Sequence, residues 1–376
     1  MCWALLAFMM SFNIFLPEFN EFITELGGED YKGLIFLMFS FSAAISRPFS
    51  GKLSDTIGRK KVMYIGITLG FVTTLIYPLS SLVIYFLWLR FIHGFSAGFL
   101  PTGATALVTD ILPTKGRGVA MGIWGTFISV GFGVGNFFAT YIEQWIGFTG
   151  LFFVAAGFAL TAAILISMIK ETLPNPQPFQ WKLLKVKWND VFEPTVRPAA
   201  FVMFCSATST GIMFVTSPDM SGYVGIENKG WFFLFYMSST IVVRLFASSM
   251  SDRIGRRKAL IIGLFFMALS MIILGFSRDW IQYTIGATVF GISTGISSPT
   301  IFAWMADLAP VKRRGVGSGT VFIALELAVI SGAIITLLIY DSTVNTIPLC
   351  YCIGAALSVI GICYLFWHLA KRESIT

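Results

Sequence analysis
Twelve apolar stretches, each about 18 to 26 residues long and so able to cross a bilayer, follow one another along this 376-residue chain. They run near 3–20, 31–50, 62–80, 82–107, 118–141, 147–169, 198–217, 231–250, 259–276, 281–306, 316–340 and 346–369. A stretch of that length carries a tilted helix through a hydrocarbon core ~30 Å thick. Inside hydrocarbon a backbone amide finds no water, so a spanning segment is either a helix or a strand of a closed barrel. A barrel requires short segments of alternating polarity, and these stretches are long and apolar throughout. The expected fold class is therefore an all-α membrane protein of twelve transmembrane helices. Only 12% of the residues are charged, about half the share in soluble domains.

Those few charges fix an orientation. With the N-terminus inside, the loops at 51–61, 112–117, 170–197, 251–258, 309–314 and 370–376 hold twenty of the 26 Lys and Arg, and Arg47 and Arg244 sit at the same surface. The opposite loops carry Lys32, Lys229 and Arg278 among a larger number of acids. This asymmetry follows the positive-inside rule and predicts an integral protein of the plasma (bacterial inner) membrane with both termini cytoplasmic. The net charge of +7 thus reports topology and attraction to the lipid bilayer. It does not point to nucleic acid, because no segment is long enough for a soluble basic domain. The five cysteines fall inside predicted spans, where they act as small apolar residues, and no metal-ligand spacing occurs.

The cytoplasmic charges also repeat. GKLSDTIGRKKVMYIG at 51–66 returns as SSMSDRIGRRKALIIG at 248–263, an offset of 197 residues. The same offset carries Arg47 to Arg244, Asp55 to Asp252, Gly58 to Gly255, Arg59 to Arg256, Gly94 and Gly98 to Gly291 and Gly295, and DILPTKGRGVAMG at 110–122 to DLAPVKRRGVGSG at 307–319. The chain is thus expected to be two six-helix bundles, 1–169 and 198–376, joined by a polar cytoplasmic linker at 170–197. Parallel duplication of six spans is an architecture of secondary transporters, whose site lies at the midplane between repeats.

Gly51-Lys-Leu-Ser-Asp55-Thr-Ile-Gly58-Arg59-Lys60 resembles the helix 2–3 loop signature of the major facilitator superfamily. RFIHGFSAG at 90–98 resembles the family's helix-4 pattern, with His93 where glutamine is usual. The resemblance covers essentially the whole chain and implies twelve helices and transport by alternating access. It also implies a cytoplasmic latch, closed when the carrier faces outward, built from Gly51, Asp55, Gly58, Arg59, Lys60, Arg47, Asp110 and Arg117 in one half. Asp252, Gly255, Arg256, Arg244, Asp307 and Arg314 would form its counterpart in the other. Residue chemistry suits such a corner: Gly58 and Gly255 accept positive φ, the aspartates can take helix N-terminal amides, and the basic residues can pair with carboxylates.

An ionisable side chain within a span costs at least ~2.5 kcal/mol unless it faces protein or water. Arg90 and Glu326 occur in one half each, and the place of Glu326 is taken by Ser129 in the first half. A shared scaffold does not explain an unshared charge, so both are candidates for proton coupling, Glu326 first; a carboxyl buried away from charge favours its protonated form and can exchange a proton. Glu18 and Asp219 each follow a proline near an outer helix end. They either join the coupling at the extracellular mouth or are solvated helix ends. Asn13, His93, Asn136, Ser209 and Ser297 are candidate substrate contacts, and such residues also serve as interhelical bonds. Asn136 stands where drug antiporters of the family carry a proline.

Other classes fail on the residues. Gly51-Lys52 is not part of a phosphate-binding loop, so no nucleotide is expected. The paired glycines in apolar spans follow no strand, and two histidines are too few for an intramembrane enzyme. No cofactor, no metal and no catalytic residues are expected. The expected activity is secondary transport of a small molecule, coupled to protons, by a monomer. Export of a drug-like compound or metabolite is favoured because the helix-4 pattern resembles the exporter branch. A proton-coupled nutrient symporter and a transport-inactive receptor are the alternatives.

Overall fold
The computed structural model describes residues 1–111, 117–185, 191–247, 250–310, 314–341 and 343–373. The side chains of Arg117, Asp252 and Arg314 lie outside the described residues. The elements in order are α1 (Cys2–Asn13), α2 (Phe19–Glu25), α3 (Lys32–Thr56), α4 (Arg59–Ile76), α5 (Val83–Ile111), α6 (Arg117–Ser167), α7 (Arg197–Tyr223), α8 (Trp231–Ala247), α9 (Met250–Ile254), α10 (Arg256–Gly275), α11 (Trp280–Leu308), α12 (Arg314–Ile339) and α13 (Ile347–Glu373). Among the described residues ten helices are long and apolar enough to cross a membrane, and Trp231–Arg244 is a shorter apolar one. One of the ten runs for 44 residues, Trp124–Ser167, and turns at Gly147, whose φ is +69°. Counted as two about that glycine, it brings the total to the twelve spans expected.

Helix ends depart from the apolar stretches. Span 1 continues to Glu25 rather than stopping near residue 20, with a 3-10 turn at Leu16–Glu18 where Pro17 has no N–H to give. Span 2 continues to Thr56, and span 7 to Tyr223 straight past Pro218. A helix satisfies its own backbone wherever it lies, so it persists beyond the apolar residues that signalled it. Residues 142–146, expected as a loop between spans 5 and 6, are helical for the same reason.

The chain divides into two compact units, Met1–Phe192 and Glu193–Thr376, a division that falls within the predicted linker. In the first unit α1 packs along α6, α5 against α3 and α4, and α4 against α6. In the second, α7 packs along α12, α11 against α8 and α10, and α10 against α13. Core positions repeat with the sequence offset. Met63, Ile67, Ala104, Leu107, Val108 and Trp124 are buried together in the first unit, and Leu260, Leu264, Ile301, Trp304, Met305 and Val321 in the second. Each member of the second set lies 197 positions after its counterpart, though no pair keeps the same residue. What repeats is the surface to be covered, and close packing, rather than exclusion of water, holds helices together in lipid.

Candidate functional site
The repeated corner forms where α3 turns into α4. Gly58 and Gly255 precede α4 and α10 with φ of +121° and +90°, a conformation other residues resist. The turn aims the next side chain back at the preceding helix and sideways at the end of α5 or α11. Arg59 Nε donates to Asp110 Oδ2 at 3.1 Å, and Arg59 Nη1 lies 3.1 Å from Asp55 Oδ1. In the second unit Arg256 Nε donates to Asp307 Oδ2 at 3.0 Å, and its Nη1 donates to Ser251 Oγ at 2.7 Å. The same atoms meet over the same separation of 51 residues in both units. These described pairs lie within their own unit, so each arginine ties its helix 2–3 turn to its own helix-4 end. Exposed pairs of this kind contribute roughly 0–1 kcal/mol and open readily. Arg47 and Arg244 lie on α3 and α8, each engaged with neighbouring groups.

One expectation at this corner is corrected. The amides at the start of α4 are taken by Glu171 rather than by Asp55, whose side chain is 73% exposed and turned to Arg59. Glu171 accepts from the backbone N–H of Arg59 and Lys60, both at 3.0 Å, and from Thr172 and Leu173. The chain after α6 then straps the corner. Thr172 Oγ1 donates to Asp110 at 2.7 Å, Gln177 N to the Thr56 carbonyl at 2.8 Å, and Lys60 Nζ to the Ser167 carbonyl at 2.7 Å. Leu183 and Leu184 pack onto Leu53, Ile57, Val62 and Phe99.

Burial raises the Glu171 pKa more than any other single influence, but the four backbone donors together outweigh it and hold the carboxyl below its ordinary 4.5. Its contribution is therefore complete above pH ~4.5 and fades as pH falls through the lower folded value. Replacing Glu171 with glutamine is expected to speed amide exchange at Arg59 and Lys60 about fivefold at pH 7, near 1 kcal/mol once solvent screening is allowed for. The effect should shrink as pH falls through the lowered folded pKa; equal exchange in both proteins at pH 7 would mean the cap contributes nothing.

Arg90 lies deeper in the first unit, wholly buried on α5. Its guanidinium carbon stands 4.6 Å from the centroid of the Phe19 ring and 4.5 Å from that of Phe39, so the cation is sandwiched by aromatic faces. Nε donates to the Ile35 carbonyl at 3.3 Å, while neither terminal nitrogen has an acceptor in good hydrogen-bond geometry and the Tyr77 hydroxyl is the polar group that interacts with the guanidinium. One turn along, His93 Nδ1 is 2.8 Å from the Tyr77 hydroxyl. Phe12, Phe15 and Phe39 also pack on the imidazole. Phe19, Phe39 and Tyr77 escaped the sequence reading. The available signal was comparison of the repeats, since Tyr77, Arg90 and His93 correspond to Leu274, Ala287 and Phe290 at the same offset.

The two acids that follow prolines each meet a hydroxyl. Glu18, 1% exposed in the 3-10 turn Leu16–Glu18, accepts from Thr140 Oγ1 of α6 at 2.6 Å. Asp219, half-buried, accepts from the Tyr340 hydroxyl at 2.5 Å across the end of the α7–α12 pair. Glu18 is thus no solvated helix end. Glu326 is buried on α12, 7% exposed and engaged with neighbouring groups. Asn13 and Asn136 each donate to a carbonyl one turn back on their own helix, to Met9 and Phe132, and each leaves a buried side-chain oxygen unpartnered. Ser209 points to the Gly354 carbonyl of α13, and Ser297 lies against Gly263 of α10, so both fill helix contacts within the second unit.

Two repeats of six spans, with charges buried in an apolar bundle, are the build of a membrane carrier rather than of a pore lined throughout by polar groups. The Major Facilitator Superfamily profile matches residues 1–218 and again 199–375, and the chain belongs to that family of transporters. It is 31% identical over 215 residues to Multidrug resistance protein 2 of Bacillus subtilis (strain 168), a match spanning 55% of this chain and only 50% of that protein. It is 28% identical over 330 residues to the Multi-drug resistance efflux pump PmrA of Streptococcus pneumoniae serotype 4 (strain ATCC BAA-334 / TIGR4), covering 80% of this chain and 78% of the pump. The crystal structure of the human organic anion transporter MFSD10 (TETRAN) superimposes with a TM-score of 0.74 over 97% of both chains. At 17% identity that likeness speaks for the fold alone.

Proposed function
We propose that this protein exports small drug-like organic molecules across a bacterial plasma membrane, driven by protons entering through the same carrier. The observation that carries the reading is the unequal burial of charge in equal halves. Arg90 sits where the second half has Ala287, and Glu326 where the first has Ser129. A buried charge costs at least ~2.5 kcal/mol, so two that the repeated scaffold does without are best accounted for by transport. The names of the relatives, multidrug resistance proteins and an efflux pump, favour export over uptake. In this reading the protein works as a monomer with both termini cytoplasmic. The Arg59–Asp110 and Arg256–Asp307 corners, with Lys60, Arg47 and Arg244, hold the cytoplasmic ends of the helices in register and loosen as the carrier opens inward. Glu18 and Asp219 guard the outer end, and the unpartnered oxygens of Asn13 and Asn136 supply contacts to donor groups of the substrate.

The test is transport by the purified full chain in proteoliposomes, with ethidium as probe and pH gradients of both signs. Saturable ethidium movement toward the acidic compartment, with protons moving the other way, is expected. Movement in the same direction as protons would make it an uptake symporter, and no gradient-dependent flux would make it a receptor.

A further inference from the structure
The buried trio of Arg90, His93 and Tyr77 contains a directional element that the carrier reading does not use. A guanidinium between two phenyl rings is attracted to both faces but is free to rotate and slide between them, because ring quadrupoles attract without hydrogen-bond geometry. The Nε bond to Ile35, at 3.3 Å, is long and leaves the terminal nitrogens undirected. The Tyr77 hydroxyl, carried by the 3-10 turn Tyr77–Leu79 that follows α4, interacts with the guanidinium both electrostatically and as a hydrogen-bond partner. Its oxygen is engaged by His93 Nδ1 at 2.8 Å.

Only one sharing of protons suits all three groups. If the phenol donates to Nδ1, its lone pairs remain available to the cation and the imidazole is neutral with its proton on Nε2. If Nδ1 donates instead, the hydroxyl hydrogen is pushed toward a positive charge, which is repulsive at this range in an enclosed site. The second half packs the corresponding places with Leu274, Ala287 and Phe290, all fully buried, so the bundle forms without any of the three.

We infer that Tyr77 is a positioning residue for transport: its hydroxyl, donating to His93 Nδ1, fixes the imidazole in the Nε2–H tautomer and holds the Arg90 guanidinium at one place between Phe19 and Phe39. The inference rests on the carrier reading above for its consequence, but its geometry can be measured separately.

Nitrogen NMR of histidine-labelled full-length protein in lipid nanodiscs reads the tautomer, with His368→Gln leaving His93 as the single signal. The unsubstituted Tyr77 protein should show Nε2–H with Nδ1 as hydrogen-bond acceptor, and Tyr77→Phe should lose that signature while its thermal unfolding is little changed. In proteoliposomes under a pH gradient, Tyr77→Phe should lower kcat for ethidium about tenfold with KM within about twofold, since the substrate's own contacts are intact. His93→Gln offers an amide oxygen to the same hydroxyl and should keep most of the turnover. His93→Leu should fall to the Tyr77→Phe level, and in a Tyr77→Phe background the two His93 variants should be equal. An unchanged tautomer in Tyr77→Phe, an unchanged kcat, or equal loss in His93→Gln and His93→Leu beside an intact Tyr77 would each overturn the inference. Should the protein move no ethidium at all, the export reading fails, and the tautomer alone decides this one.

Discussion

Replacing Gly94 or Gly291 with alanine is expected to destabilise the folded protein by about 3 kcal/mol or more, at or beyond the upper end of ordinary overpacking. A Cβ on Gly94 would lie 1.9 Å from Ser42 Oγ and 2.2 Å from the Phe39 carbonyl oxygen. On Gly291 it would lie 1.9 Å from Ser239 Oγ and 2.2 Å from the Tyr236 carbonyl oxygen. A serine can rotate away, but a helical carbonyl cannot move without breaking its own hydrogen bond or parting the helices. Part of the cost is therefore the whole α3–α5 or α8–α11 contact. In the first unit that contact also carries Ser50 Oγ to the Gly98 carbonyl at 2.8 Å. Gly157→Ala is the control: nothing lies within 4 Å of its added methyl on the exposed face of α6. Alanine there should be neutral or stabilising by up to ~1 kcal/mol. Thermal unfolding of the three variants in one detergent should separate them; a Gly94→Ala protein as stable as Gly157→Ala would show that the two backbones are not in contact at this crossing.

The matched environments of Gly94 and Gly291 explain why so much of the fold was readable beforehand. A duplicated chain writes each packing constraint twice, so an offset of 197 residues matched the charged corners and the paired glycines before any contact was known, while the core positions, which keep no residue between halves, came from the coordinates. The same repeat placed Arg59, Asp110, Arg256 and Asp307 in one network, while which carboxylate each arginine meets came from the coordinates. Other features required the chain to return on itself. Glu171 caps a helix that begins 112 residues earlier, and only the unrepeated linker brings it there. Tyr77 meets His93 across the turn between α4 and α5, and a tyrosine at an apolar helix end looks like an interfacial anchor. The burial of Glu18 depends on the 3-10 turn at Pro17, which carries the chain into α2 rather than out of the bundle. Repeated features follow from sequence alone, whereas unrepeated ones, where the transport chemistry is proposed to lie, need coordinates.

The other large effect is expected at Glu326. Glutamine has the same shape and keeps an amide that can donate and accept, so the contacts Glu326 makes with its neighbours are largely retained and the buried site gains no unpaired charge. What glutamine cannot do is release a proton. If the proposed coupling runs through this carboxyl, Glu326→Gln should lose gradient-driven ethidium accumulation by at least ~100-fold, the range attached to removing a proton-transferring side chain. Exchange of labelled for unlabelled ethidium across the membrane at equal pH should continue within a few fold, because alternating access with substrate bound needs no net proton movement. Ser129→Ala, at the corresponding place in the first half, should leave both processes nearly unchanged. Loss of exchange together with accumulation would mark Glu326 as part of the substrate site rather than the proton path. A Glu326→Gln protein that still concentrates ethidium against its gradient would remove this residue from the coupling and leave Arg90, Glu18 and Asp219 as its candidates.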